Sequence, residues 1–149
     1  MKVKIKKINE KAVIPAYSRV GDAGLDIVAI NKKSEAVFND GHITHINIVY
    51  YTGISLEIPK GYVGLIFPRS SIADYDMRLT NSVGAIDSNY RGEILIKMRY
   101  DNKHGLKGYP VGEKIAQLVI VKIPNIEMEE AEELSETERG DKGYGSSGK

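Results

Sequence analysis

Along most of this chain, hydrophobic and polar residues alternate with a period of two, the spacing of a strand with one face buried. From 94 to 100, Ile94, Ile96 and Met98 fall on one side and Lys97 and Arg99 on the other. Ile54, Leu56 and Ile58 alternate with Ser55 and Glu57, and Pro59-Lys60-Gly61 supplies a turn before the apolar run 62–67. Gly112 opens a further run over 113–121, which stops at Pro124. The opening MKVKIKKI sets lysines between Val3 and Ile5. It reads as an edge strand whose exposed charges discourage sheet-to-sheet pairing. Many short runs broken by Gly, Pro and Asn, with little helical period, predict an all-β sandwich or barrel. A single short helical turn is expected, over 71–75, and there is no internal repeat.

The rest of the chain is organised around residues 81–93, NSVGAIDSNYRGE. The pattern predicts a tight β-hairpin whose bend carries Asp87 and, three residues on, Tyr90. Taken alone it reads equally well as an ordinary surface turn with an acid in it.

Length and composition narrow the classes. A chain of 149 residues suits one domain with a real core. A net charge of +1 gives no reason to expect nucleic acid or an acidic membrane as partner. No apolar run approaches the roughly 20 residues of a membrane span, and the start lacks the apolar centre of a signal peptide. The absence of cysteine excludes disulfides, thiolate nucleophiles and Cys-ligated zinc, and fits a cytoplasmic protein. Residues 127–138 hold seven glutamates in twelve positions, which predicts a solvated segment, a short strand or linker.

Several short segments could carry chemistry. Segment 143–148, GYGSSG, matches GxGxxG literally but lacks the preceding buried strand and following helix of a dinucleotide site. Its glycines and hydroxyls, with Arg139, could still wrap a phosphate, although a frayed tail is the plainer reading. No GxxxxGK[ST] motif exists, which excludes P-loop chemistry. Pro68-Arg69-Ser70-Ser71 offers a guanidinium fork and two hydroxyls at a strand end, which suits a polyphosphate. A serine N-cap for the turn that follows is the alternative, and both can hold. Asp26, in AGLDI, is an isolated acid among apolar neighbours. It is either part of a turn or a holder of magnesium's water shell, with phosphates as the inner ligands. His42 and His45 are read as surface-loop histidines without a role.

Five segments stand in one order: AGLDI at 23–27, PRSS at 68–71, NSVGAIDSNYRGE at 81–93, GEKIAQLV at 112–119 and RGDKGYGSSG at 139–148. Over nearly the whole chain this set resembles the five motifs of the trimeric, all-β deoxyuridine triphosphate nucleotidohydrolases (dUTPases). The resemblance implies a jelly-roll β domain over 1–126, an acidic strand or linker over 127–138, and a mobile motif over 139–149 that closes a site. It implies Mg²⁺-dependent hydrolysis of dUTP to dUMP and pyrophosphate, limiting uracil in DNA and supplying dUMP for thymidylate synthesis. Asp87 matches the residue that deprotonates the attacking water, and Tyr90 the aromatic under the deoxyribose. Asn81, Gly84, Ala85 and Ile86 match the uracil-reading segment, with a contribution near Leu95. Arg69, Ser70 and Ser71 match the phosphate contacts, while Asp26 and Gln117 match positions near the magnesium-triphosphate end. Arg139, Tyr144, Gly145, Ser146 and Ser147 match the closing tail. The resemblance further implies a homotrimer with shared sites, and a cytoplasmic, nuclear or host-cell location. Tyr144 departs from the usual Phe, and residues 41–51, GHITHINIVYY, match no motif and read as a local elaboration. The rival reading is a dCTP deaminase, monofunctional or also cleaving the triphosphate, on the same fold, which needs a proton-shuttling glutamate such as Glu93. A non-enzymatic binding module would have no use for Asp87.

Overall fold

The computed structural model describes residues 1–100 and 108–143. Among them are ten strands: β1 (Lys4–Lys7), β2 (Leu25–Val28), β3 (Asn31–Asn39), β4 (His42–Tyr51), β5 (Ile54–Glu57), β6 (Tyr62–Pro68), β7 (Met77–Leu79), β8 (Gly84–Ile86), β9 (Leu95–Tyr100) and β10 (Lys114–Lys122). One 3₁₀ turn, Ser70–Asp74, is the only helical piece among these residues, as the pattern predicts. The strands form a β2-β10-β6-β8 sheet, a β3-β4-β9-β7 sheet and a small β1-β5 pair, every ladder antiparallel. The fold is all-β and jelly-roll-like. No helix among the described residues is long and apolar enough to cross a membrane.

The core lies between the two large sheets. Ile27, Ile66, Ala116 and Leu118 come from one, Ile48, Tyr50, Leu79, Ile96 and Met98 from the other, and Ile54 and Leu56 close one side. Each fully buried Ile or Met of this kind contributes about 1.5–3 kcal/mol relative to exposure. The alternation in β9 comes out as expected: Ile96 and Met98 are buried while Lys97 faces out to Glu35, 2.9 Å away. β1 is an edge strand with its lysines exposed, and Lys4 pairs with Glu57.

Three expectations need correction. Residues 81–93 do not form a hairpin, because β8 pairs with β6 in one sheet and β9 pairs with β4 and β7 in the other. The stretch is a crossing from sheet to sheet, and it leaves the second edge of β8 without a strand partner among the described residues. Residues 41–51 are not an elaboration, since β4 is paired on both edges and buries Asn47, Ile48, Val49 and Tyr50. His42 and His45 accordingly sit on a strand rather than in a loop.

Beyond β10 the described chain runs to 143 without a strand and exposed throughout. Ile126, Met128 and Leu134 there are 70%, 89% and 87% exposed.

Candidate active site

Two groups of side chains carry the predicted chemistry, and the strand register separates them. The first gathers where β2, β6 and β10 meet. Asp26, on β2 rather than in a turn, accepts from Arg69 Nε at 3.0 Å through Oδ1. Its Oδ2 lies 2.8 Å from Lys114 Nζ and also accepts from Ser18 Oγ, which Lys114 reaches in turn. Burial pushes the Asp26 carboxyl up, but the hydrogen bonds from Lys114 and Ser18 and the charges of Arg69 and Lys114 outweigh it, so the group stays below the usual carboxylate range.

That direction fixes a pH dependence. A carboxyl held low when folded stabilises the fold above its unfolded pKa, near 3.9, and loses that contribution as pH falls through the folded value. Asp26→Asn is therefore expected to lower Tm by about 2–8 °C at pH 7, with the gap closing below about pH 4. Thermal melts across pH check this, and a gap that persisted into strong acid would contradict it.

Arg69 closes β6 and forms the N-cap of the 3₁₀ turn without a side-chain capping bond, so the serine N-cap is not what is found. Its Nη1 reaches the Lys114 carbonyl at 3.4 Å. Ser70 is exposed and Ser71 half-buried on the turn. Gln117, opposite both Asp26 and Phe67, donates from Nε2 to the Pro68 carbonyl at 3.0 Å. A Cβ on Gly24 would come within 2.6 Å of Gln117 Oε1 and 3.0 Å of its Cβ, so a larger residue there would force Gln117 to shift. Gln117 thus fixes the strand end that presents Arg69. Beside it lies an open cleft of about 450 Å³ lined by Arg69, Ser71, Tyr75, Tyr109, Glu113 and Lys114, among others.

The second group lies on the sheet crossing. Asp87 is exposed, and its carboxylate makes no hydrogen bond or ion pair among the described residues. A turn closes behind it, Tyr90 N donating to the Asp87 carbonyl at 3.1 Å. The chain beyond is pinned to the end of β4 and to β5. Ser55 Oγ donates to the carbonyls of Arg91 and Gly92, Thr52 Oγ1 donates to the Ile94 carbonyl at 2.6 Å, and Glu93 Oε1 accepts from Gly53 N at 2.7 Å. Glu93 is therefore committed to a main-chain amide, against the proton-shuttling role a deaminase would need. The Tyr90 ring covers Gly92, where any Cβ would collide with it, and its hydroxyl donates to the Glu93 carbonyl at 3.0 Å. A Cβ on Gly84 would press on Ile66 Cβ at 3.2 Å and Asn81 Nδ2 at 3.3 Å, Ala85 is exposed, and Leu95 is 46% exposed at the start of β9.

Within one chain the two groups stand apart. Ile86 pairs with Gly64, whereas Arg69 lies five positions on, just past the end of β6, roughly 16 Å away at about 3.3 Å per residue. Asp87 is one residue beyond Ile86, on the far side from Arg69. Of the tail residues, Arg139 is exposed and donates from Nε to the Lys142 carbonyl at 3.1 Å. Tyr144, Gly145, Ser146 and Ser147 lie outside the described residues. Sequence reasoning missed Ser18, Lys114, Thr52 and Ser55. Only Ser55 carried a signal, a hydroxyl inside an apolar run.

Two packed antiparallel sheets, with no helix beyond one 3₁₀ turn among the described residues, define an all-β protein of the jelly-roll kind. The family model described as dUTPase matches residues 10–148, and the chain belongs to that family. A deoxyuridine 5'-triphosphate nucleotidohydrolase of Trichodesmium erythraeum is 42% identical, over 99% of each chain. One from Nautilia profundicola is 40% identical over the full length of both. Among solved structures, a Staphylococcus bacteriophage 80alpha dUTPase with dUpNHpp superposes with a TM-score of 0.81 at 28% identity, covering 99% of this chain and 98% of that one.

Proposed function

We propose that this chain hydrolyses dUTP to dUMP and pyrophosphate, with Asp87 taking a proton from the water that attacks the α-phosphorus. The observation that carries this reading is the exposed, unpartnered Asp87 carboxylate on a turn pinned to its neighbours beside Tyr90. The water oxygen bonds to the α-phosphorus as the bond to the α–β bridging oxygen breaks. Pyrophosphate leaves with that electron pair, and Asp87 holds the proton. General-base help of this kind is worth about 10²–10⁴ in rate. The remainder comes from aligning the triphosphate and neutralising its charge, the work assigned to Arg69, Ser70, Ser71 and the tail residues Arg139, Ser146 and Ser147.

The edge of β8 that has no strand partner among the described residues supports the uracil reading. An edge strand keeps unpaired main-chain donors and acceptors, and Asn81, Gly84, Ala85 and Ile86 stand along or beside it. A cytosine there would leave buried polar groups unpaired, which discriminates better than apolar fit. Tyr90, its hydroxyl end packed over Gly92, serves as the surface under the deoxyribose.

The donor set fits magnesium only in one way. No cluster of three or more His, Asp or Glu stands ready for a metal among the described residues. Asp26 spends most of its acceptor capacity on Arg69, Lys114 and Ser18, leaving room on Oδ1. An ion brought in by the triphosphate would fit, and Asp26 would help hold it through its water shell. When bound it would neutralise phosphate charge.

The active unit is a homotrimer in which one subunit supplies Asp87 and another Arg69. The register gap between the two groups and the exposed apolar residues of 123–143 support this. Asp87→Asn and Arg69→Ala chains, each inactive alone, are expected to regain activity when unfolded and refolded together. A mixture as silent as its parents would place both groups in one subunit. Ammonia release from dCTP would overturn the choice of hydrolase over deaminase.

A further inference from the structure

Tyr109 is the buried aromatic that the assignments above leave without a role. It is 1% exposed, just before β10, and its ring packs against Tyr75 with centroids 4.2 Å apart and edge-on to Tyr50 at 6.4 Å. Its carbonyl accepts from Lys32 Nζ at 2.9 Å, so backbone and ring are both held. The hydroxyl comes out at one place, 2.9 Å from Ser71 Oγ, on the wall of the cleft shared with Arg69 and Lys114. Ser71 is its single hydrogen-bond partner among the described residues.

We infer that Tyr109 is a positioning residue that aims the Ser71 hydroxyl as a donor into the phosphate cleft. The inference rests on the proposed phosphate role of Ser71 and deepens it. A hydroxyl has one proton to give and two lone pairs to receive. If Ser71 spends its proton on Tyr109, it meets an anion with lone pairs only, which repels. If Tyr109 donates to Ser71, the Ser71 proton is left for a phosphate oxygen, and each bond of the chain polarises the next. The tilted Tyr75 ring and the edge-on Tyr50 ring fix where the Tyr109 oxygen lies, so the second arrangement costs Ser71 little rotational freedom when the nucleotide arrives. Phenylalanine would keep the ring packing and lose the donor.

The test is a double-mutant cycle on the full chain with Tyr109→Phe, Ser71→Ala and both together. Each is assayed for dUTP turnover, for affinity toward a non-hydrolysable dUTP analogue, and for Tm. Tyr109→Phe is expected to lower kcat/KM about threefold to tenfold, the size of one hydrogen bond. In the Ser71→Ala background the same change should cost less than about twofold, with Tm moving by no more than about 3 °C in either. An equal loss in both backgrounds would make Tyr109 a packing residue and overturn the inference, as would a silent Tyr109→Phe beside a damaging Ser71→Ala. A silent Ser71→Ala would instead remove the phosphate contact itself, and the inference with it.

Discussion

Asp87→Asn is expected to lower dUTP turnover by about 10²–10⁴ or more while leaving affinity for dUTP within about tenfold. The two side chains have the same shape, but the amide cannot accept the water's proton. Affinity should survive because the groups that grip the triphosphate, Arg69 and its neighbours, lie elsewhere on the fold. The fold should survive as well, since Asp87 is exposed and bonded to nothing among the described residues. Exposed substitutions of that kind change stability by roughly 0.5 kcal/mol or less. Turnover that persisted in Asp87→Asn would remove the general-base assignment, and a collapsed Tm would make the loss a folding defect.

Deleting residues 139–149 should produce the second large effect. Arg139 bonds only within its own turn, to Lys142, and everything from 123 to 143 is exposed. None of the core residues lies in this part of the chain. Removal should therefore leave the proposed trimer and its Tm in place. What it should remove is closure over the nucleotide, which excludes water and completes the phosphate contacts. A loss of the order of 10² in kcat/KM is expected, the scale of mispositioning a reacting group by about an ångström. Sedimentation and steady-state kinetics on the shortened chain check both halves, and an unchanged rate would leave the tail without a function.

What the sequence revealed and what it hid follow from the range over which each interaction acts. The period in β9 is local, so Ile96, Met98 and Lys97 could be assigned their sides directly. The 3₁₀ turn after Arg69 and the edge character of β1 were legible for the same reason. The sheet crossing at 81–93 was not. Asp87, Asn89 and Gly92 are turn formers in a hairpin and in a crossing alike, and the choice is made by remote partners, β6 for one side and β4 with β7 for the other. Residues 41–51 match no motif and so read as an elaboration, yet Asn47, Ile48, Val49 and Tyr50 are buried one after another, so the segment serves packing rather than the site. Asp26 stood out as an isolated acid, but its partners Arg69 and Lys114 come from distant strands, so its ion pairs could not be read from local pattern. The pinning of 91–94 by Thr52, Ser55 and Glu93 is equally non-local. It explains why Glu93, a plausible proton carrier by residue type, is occupied with holding the chain.

The central claim is that Asp87 aims water at the innermost phosphorus of dUTP. The most direct measurement is turnover in ¹⁸O-enriched water, followed by mass analysis of both products. One ¹⁸O in dUMP and none in pyrophosphate is the predicted result. Label in the pyrophosphate would mean attack at the β-phosphorus and would contradict the account.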